Sequence, residues 1–354
     1  MFHGGCTDVH QHLWPAAFVE QLRLRRRRPL LDGWTLHLPG EPPHEIRPEH
    51  HDPVRRAGLD PDVQRIAVSL SSPLGIEHLP PDEAAPLLDA WHAGVQELPA
   101  PFVGWASPQL AEPDLDGLSR LLVPRQATFA PSRPPAHTLA APAESPSTPS
   151  TRTSGRHAES THRTPLLDGQ KLPDAALTGG LIGLQVPATA LRTPQALKRL
   201  APLLAVAEAA DRPVLVHPGP EPATDAELPA WWPAVVGYVG QLQAAWWSWH
   251  TAGRALLPRL RICFVAAAGL APVHHERFTA RGGGPLVLDP RVFVDTSSYG
   301  RQALDSVVRV LGIDALVLGS DRPYAAPTDP GLGAAAAHAV RVANPRHLLE
   351  GVRP

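Results

Sequence analysis

The chain has 354 residues, 43% hydrophobic and 19% charged, enough apolar material for one large core or two ordinary ones, which excludes a disordered or fibrous protein. Lys and Arg (32) nearly balance Asp and Glu (34), so no broad positive field exists to hold a polyanion, and nucleic acid is not an expected partner. Two cysteines, Cys6 and Cys263, are too few for a disulfide framework and read as buried thiols of a reducing compartment. Residues 1–13 carry His, Asp and Gln where a signal peptide needs an apolar stretch, and no run of about eighteen apolar residues follows. No membrane association is expected, and the expected location is cytoplasmic.

Along the chain, short β-rich apolar runs recur, each followed by a longer stretch of helical composition. They are Cys6 to Leu13, Arg65 to Ser72, Phe102 to Pro108, Leu181 to Ala188, Pro213 to Gly219, Arg261 to Gly269, Val292 to Ser298 and Ala315 to Asp321. Helices are predicted over 194–210, with Leu197, Leu200, Leu203, Leu204 and Ala207 at helical spacing, and over 301–311, with Leu304, Val307, Val308 and Leu311 likewise. Asn344 followed by Pro345 predicts the capped start of a closing helix. Eight such units fit a (β/α)8 TIM barrel. An open doubly wound sheet competes, but it calls for a glycine-rich turn after its first strand, and Gln11 to Pro15 stand there instead. Between the third and fourth runs, residues 124–165 are dominated by Pro, Ser, Thr and Ala, and read as a disordered insertion within one domain spanning 1–354.

Asp8, His10 and His12 alternate along the first run, and a period of two sends all three side chains to one face. An HxH pair alone is a weak signal; placement strengthens it. His217 closes the fifth run and Asp321 the eighth, the strand ends where barrel enzymes assemble their sites. Imidazole nitrogens and a carboxylate converging there suit Zn²⁺, with Fe and Mn also compatible.

The segments DVHQHLWP, GLIGLQVPA, PVLVHPG, RICFVAAAGLAP with HHERF, VFVDTSSYG, LVLGSDRP and ANPRHLL resemble the amidohydrolase superfamily. Within it they are most like the amidohydrolase-related branch that includes nonoxidative decarboxylases of the aminocarboxymuconate-semialdehyde type. The resemblance implies that His10, His12, His217 and Asp321 hold one divalent metal ion, with Zn²⁺ the first choice. Two departures stand out. The strand that carries a carbamylated lysine in binuclear members has Gln185 here, which favours a single metal, and Ala266 takes the place of a proton-shuttling histidine. His274 and His275 lie just downstream as substitutes.

Arg277 lies where related decarboxylases reach into a neighbouring subunit to hold a substrate carboxylate, which implies a homodimer. Arg277 and Trp14 are therefore the candidate substrate-binding residues. Trp231, Trp232, Trp246, Trp247 and Trp249 line an aromatic pocket or else a packed helix pair, and Asp295 to Tyr299 supply pocket hydrogen bonds or cap the next helix. The Arg25 to Arg28 run reads as solvated surface. The first functional reading is a metal-dependent hydrolase of a small cyclic or aromatic carboxylate, with Asp321 as ligand and proton carrier. Nonoxidative decarboxylation at the same site and a metabolite-binding barrel that has lost turnover at Ala266 are the alternatives.

Overall fold

The computed structural model describes residues 5–39, 43–123, 180–222, 227–327 and 331–351. These lie in one compact unit built from Met1–Pro124 and Leu177–Pro354. The predicted insertion, 124–165, falls outside the described residues.

Eight parallel strands form one sheet in chain order: β1 (Cys6–Gln11), β2 (Val63–Val68), β3 (Phe102–Ala106), β4 (Leu181–Pro187), β5 (Val214–His217), β6 (Ile262–Phe264), β7 (Val292–Asp295) and β8 (Leu316–Val317). Strands covered on both faces are mostly apolar, as β3, β4 and β5 are; β1 is buried throughout as well but carries Asp8, His10 and Gln11. The sheet closes on itself through the segment that follows β8. Val9 N–H donates to Leu318 O (2.8 Å), Asp321 N–H to His10 O (2.9 Å) and His12 N–H to Arg322 O (2.6 Å). This is a (β/α)8 barrel, as the eight runs predicted.

Helices cover the outside. In α1 (Ala16–Leu24) Phe18, Val19 and Leu22 are buried, and in α2 (Pro81–Glu97) Ala84, Leu87, Leu88, Trp91 and Val95 are buried. Trp91 Nε1 donates to Trp105 O on β3 (3.0 Å), and Trp105 Nε1 donates to Val9 O on β1 (2.9 Å), so two indoles stitch helix to strand to strand. In α3 (Pro194–Ala209) Thr193 caps the Ala196 N–H (3.1 Å) and Pro194 opens the first turn. In α4 (Tyr238–Ser248) Leu242, Ala245 and Trp246 are buried, and α5 (Arg301–Leu311) buries Leu304 and Val307. Cys6 and Cys263 are buried free thiols. Arg25 pairs with Glu83 (2.8 Å) at the surface.

Three details differ from the sequence reading. The excursion between β1 and β2 contains an antiparallel sheet, Leu30–Asp32, Thr35–His37 and His44–Glu45, whose strands are too short to show a period of two. The sixth run is a strand only to Phe264 and stays extended to Val265, because Ala266 to Leu270 turn left-handed, with φ between 47° and 61° at all five residues. The closing helix does not start at a capping Asn344. Helical backbone runs from Ala334 to Glu350 and widens to a π-turn over Ala339–Ala343, which accommodates Pro345 inside the helix. Asn344 is helical, and its amide donates to Ile313 O (2.9 Å) and Leu316 O (2.7 Å), fastening the helix to β8. Among the described residues no helix is long and apolar enough to cross a membrane.

Candidate metal centre

The alternation of β1 brings His10 and His12 to the C-terminal mouth of the barrel, where His217 ends β5 and Asp321 follows β8. One donor atom from each of the four lies within 4.8 Å of the other three. His10 Nε2 and His12 Nε2 are 3.2 Å apart, His217 Nε2 and His12 Nε2 3.2 Å, and Asp321 Oδ1 stands 3.2 Å from His12 Nε2 and 3.6 Å from His10 Nε2.

The outer nitrogens decide which protons these rings carry. His10 Nδ1 faces Asp295 Oδ2 (2.7 Å), His12 Nδ1 faces Ser69 O (3.0 Å) and His217 Nδ1 faces Pro218 O (2.8 Å). All three partners are acceptors only, so each Nδ1 is the donor, and in the neutral ring each Nε2 is left as a bare lone pair. Three lone pairs and a carboxylate oxygen pointed at one another repel unless a cation lies between them. With metal–nitrogen bonds of about 2.0–2.1 Å, tetrahedral ligands sit about 3.4 Å apart, close to the spacings here. The cluster therefore fits one divalent metal ion.

Burial pushes the His12 imidazole below its ordinary range, and burial followed by the charges of His12 and His10 pushes His217 well below it. For His10, burial favours the neutral ring but is outweighed by Asp295, so its pKa is raised. Burial would raise Asp321; its hydrogen bond to His12 and the charges of the three histidines outweigh that and hold the carboxyl below its usual range. A metal requires three neutral rings and an ionised carboxylate; the shifts of His12, His217 and Asp321 favour that state, and the raised His10 must give up its proton to the ion.

Groups behind the ligands fix their orientation. Asp295 accepts from His10 on one oxygen and from Ala266 N–H (2.7 Å), Ser297 Oγ (2.6 Å) and Ser297 N–H (3.0 Å) on the other. Asp8 turns to the seam of the barrel, not to the metal cluster. It accepts from His10 N–H (3.1 Å), Ser320 N–H (3.1 Å) and Gln11 Nε2 (2.8 Å). Gln11 Oε1 in turn accepts from the buried Arg56 (2.5 Å), whose other arm donates to His12 O (2.7 Å). Burial raises the Asp8 carboxyl. Arg56 sits in the β1–β2 excursion and carries no spacing signal that ties it to the histidine motif.

The other candidate residues do not join this convergence. Trp14 is buried, stacked on His51 (4.6 Å between ring centres), and its Nε1 donates to Ser71 Oγ (3.2 Å). Arg277 is exposed on the short helix His275–Ala280. His275 is buried among Trp246, Trp247, His250 and Phe278, and His274 is exposed. Trp246 and Trp249 are core residues, Trp247 stacks on Phe278 (4.8 Å), and Trp231 and Trp232 are exposed. Tyr324, which the sequence reading passed over, lies with its ring 5.3 Å from that of His12.

No family profile and no curated protein matches the sequence. Solved structures do match over its whole length. The IDCase of Metarhizium anisopliae aligns with a TM-score of 0.69 at 15% identity, covering 98% of this chain and 97% of that one. The 2,6-dihydroxybenzoate decarboxylase of Rhizobium aligns with a TM-score of 0.59 at 14% identity, covering 98% and 99%. The 5-carboxyvanillate decarboxylase of Novosphingobium aromaticivorans, solved with manganese and 4-hydroxy-3-methoxy-5-nitrobenzoic acid, aligns with a TM-score of 0.58 at 14% identity, covering 98% and 96%. A protein described as amidohydrolase II aligns equally well. The chain shares the (β/α)8 barrel fold of these proteins.

Proposed function

We propose that this protein is a metal-dependent nonoxidative decarboxylase of an aromatic or cyclic carboxylate. The observation that carries the reading is the convergence of the Nε2 atoms of His10, His12 and His217, each ring backed by an acceptor at Nδ1, with the Asp321 carboxylate at the barrel mouth. Hydrolysis, the first reading of the sequence, uses the same side chains. Decarboxylation takes precedence because the compared structures that act on aromatic acids are decarboxylases.

His10, His12, His217 and Asp321 would hold the ion, Mn²⁺ or Zn²⁺, both of which accept this nitrogen and oxygen set. Bound there, it supplies Lewis acidity toward substrate oxygens. The reaction places one proton on the ring carbon that bears the carboxylate and breaks that carbon's bond to CO₂, the bonding pair returning to the ring. Asp321, ionised at rest, is the group suited to carry that proton, taking it from water at the barrel mouth and giving it to the ring carbon. Its side chain is 21% exposed while those of His10 and His12 are sealed, and among the described residues its second oxygen meets only the Ser298 hydroxyl, at 3.5 Å. The three imidazoles cannot exchange protons at Nδ1 without losing the acceptors that orient them. Within this reading Arg277 holds the substrate carboxylate across a homodimer, and Trp14 acts from behind Ser71 to set the wall of the site.

Product analysis tests the reading. Protein loaded with Mn²⁺ or Zn²⁺ is incubated with a panel of hydroxybenzoates, carboxyvanillates and cyclic lactones, and released CO₂ and incorporation of ¹⁸O from water are measured. CO₂ in equal amount to the decarboxylated ring is expected. Water incorporation without CO₂ would restore the hydrolase reading, and binding of these acids with no turnover would favour the metabolite-binding barrel.

A further inference from the structure

The segment that continues β2, Ser69 to Ser72, is gripped from two sides. Ser69 O receives His12 Nδ1–H (3.0 Å), and Ser71 Oγ lies 3.4 Å from the same nitrogen. The intervening and following residues are held by a different side chain. Gln185 Nε2, from β4, donates to Leu70 O (2.8 Å) and to Ser72 Oγ (2.6 Å). Successive carbonyls of an extended chain point to opposite sides, so His12 holds Ser69 O and Gln185 holds Leu70 O, and Gln185 also grips Ser72 where the strip turns into a short 3-10 helix. Ser72 Oγ then donates to Glu77 Oε1, which also accepts from Ser107 Oγ (3.2 Å) after β3. Gln185 and Glu77 are fully buried.

We propose that Gln185, Ser72 and Glu77 are positioning residues for His12: they clamp the strip whose Ser69 carbonyl keeps the proton on Nδ1, and so keep the Nε2 lone pair aimed at the metal cluster. Gln185 stands on the strand where a binuclear centre would need a ligand, and its amide is committed to the strip instead. Burial pushes the Glu77 carboxyl up to about 7, which lightens the charge the clamp buries at neutral pH. The inference rests on the metal-centre reading, but its first readout does not need a metal.

The test is ¹⁵N NMR of the imidazoles in metal-free protein, with His12 assigned by its loss in His12→Gln, together with Mn²⁺ and Zn²⁺ titrations. Wild-type His12 is expected as the Nδ1–H tautomer. Gln185→Met, which keeps the length and removes both donated bonds, is expected to give a mixture of tautomers and to weaken metal binding by about 10–100-fold. Ser72→Ala removes only the shared hydroxyl and serves if Gln185→Met does not fold; the same direction with a smaller change is expected. A wild-type His12 protonated on Nε2 would overturn the proposal. So would a folded variant with an unchanged His12 spectrum and metal affinity within twofold, even if its melting temperature fell. If wild-type protein binds no metal yet Gln185→Met shifts the tautomer, the clamp stands and the metal reading falls.

Discussion

Asp295 shows how much a single buried side chain decides here. One oxygen orients His10 and the other is saturated by Ala266 and Ser297, so the carboxylate can neither rotate nor leave. Asp295→Ala leaves His10 Nδ1 without its acceptor and frees the ring to change tautomer. Metal affinity is expected to fall by about 10–100-fold, read by titration with Mn²⁺ or Zn²⁺. Asp321→Asn has a different signature, because it keeps one oxygen toward the cluster and removes the proton acceptor. Metal affinity should fall partly and CO₂ release by orders of magnitude, and a variant with near-normal rate would show that another group carries the proton. The four converging residues were legible because strand alternation and strand-end position are sequence properties. The partners Asp295, Ser69, Gln11 and Arg56 were not, since nothing in linear spacing states which carbonyl or carboxylate a ring will meet across a barrel. Asp295 was read as one of several polar residues closing the seventh run that supply pocket hydrogen bonds or cap the next helix, with no partner named.

At the scale of elements, the seam from β7 through β8 to β1 is where packing tolerance is smallest. Gly319 follows β8, and a Cβ there would lie 2.5 Å from Asp295 Oδ2 and 2.7 Å from its Cγ. Gly319→Ala must therefore move the carboxylate that holds His10. The expected result is a stability loss of about 1–3 kcal/mol together with weakened metal binding, measured by denaturant unfolding and metal titration on the same sample. Stability loss with unchanged metal affinity would show that the seam yields elsewhere. On the neighbouring strand, Ala266 to Leu270 keep a left-handed turn with a single glycine, although each L-residue in that region costs about 1–2 kcal/mol. The turn has a structural return, since it aims Ala266 N–H at Asp295. The eight strands were readable as apolar runs recurring between helical stretches, and the two long helices by their own period. The left-handed turn and the small antiparallel sheet were not, because alanines announce no positive φ and two- or three-residue strands have no period.

The whole molecule carries several neutral histidines whose geometry forbids protonation, and this fixes how its stability depends on pH. His51 Nδ1 accepts from Trp14 N–H (3.0 Å) and His92 Nε2 from Ser107 N–H (3.1 Å), while His275 is enclosed by aromatic rings. Burial lowers His51 to about 3, and His92 and His275 to about 4. Unfolding returns each to about 6.5, so below that pH the unfolded chain binds more protons and stability falls with acid. Glu77 opposes this. Burial raises it to about 7 from 4.5, so between those values the folded state holds the extra proton and gains stability as pH falls. Taken by themselves, these three groups against one leave a net uptake of about two protons on unfolding between pH 4.5 and 6.5, or up to about 3 kcal/mol per pH unit; the lowered His12 and His217 add to this acid sensitivity, and the raised His10 and Asp8 subtract from it. Metal-free protein followed by guanidinium unfolding should therefore lose stability steeply from pH 6.5 to 5 and change little between 7 and 8. Glu77→Gln removes the opposing group and keeps an acceptor for Ser72, so the acid fall should steepen by about one proton while stability at pH 8 rises. An unchanged slope in that variant would mean that Glu77 is already ionised in the folded protein at pH 5, and that its buried carboxylate has a compensating partner.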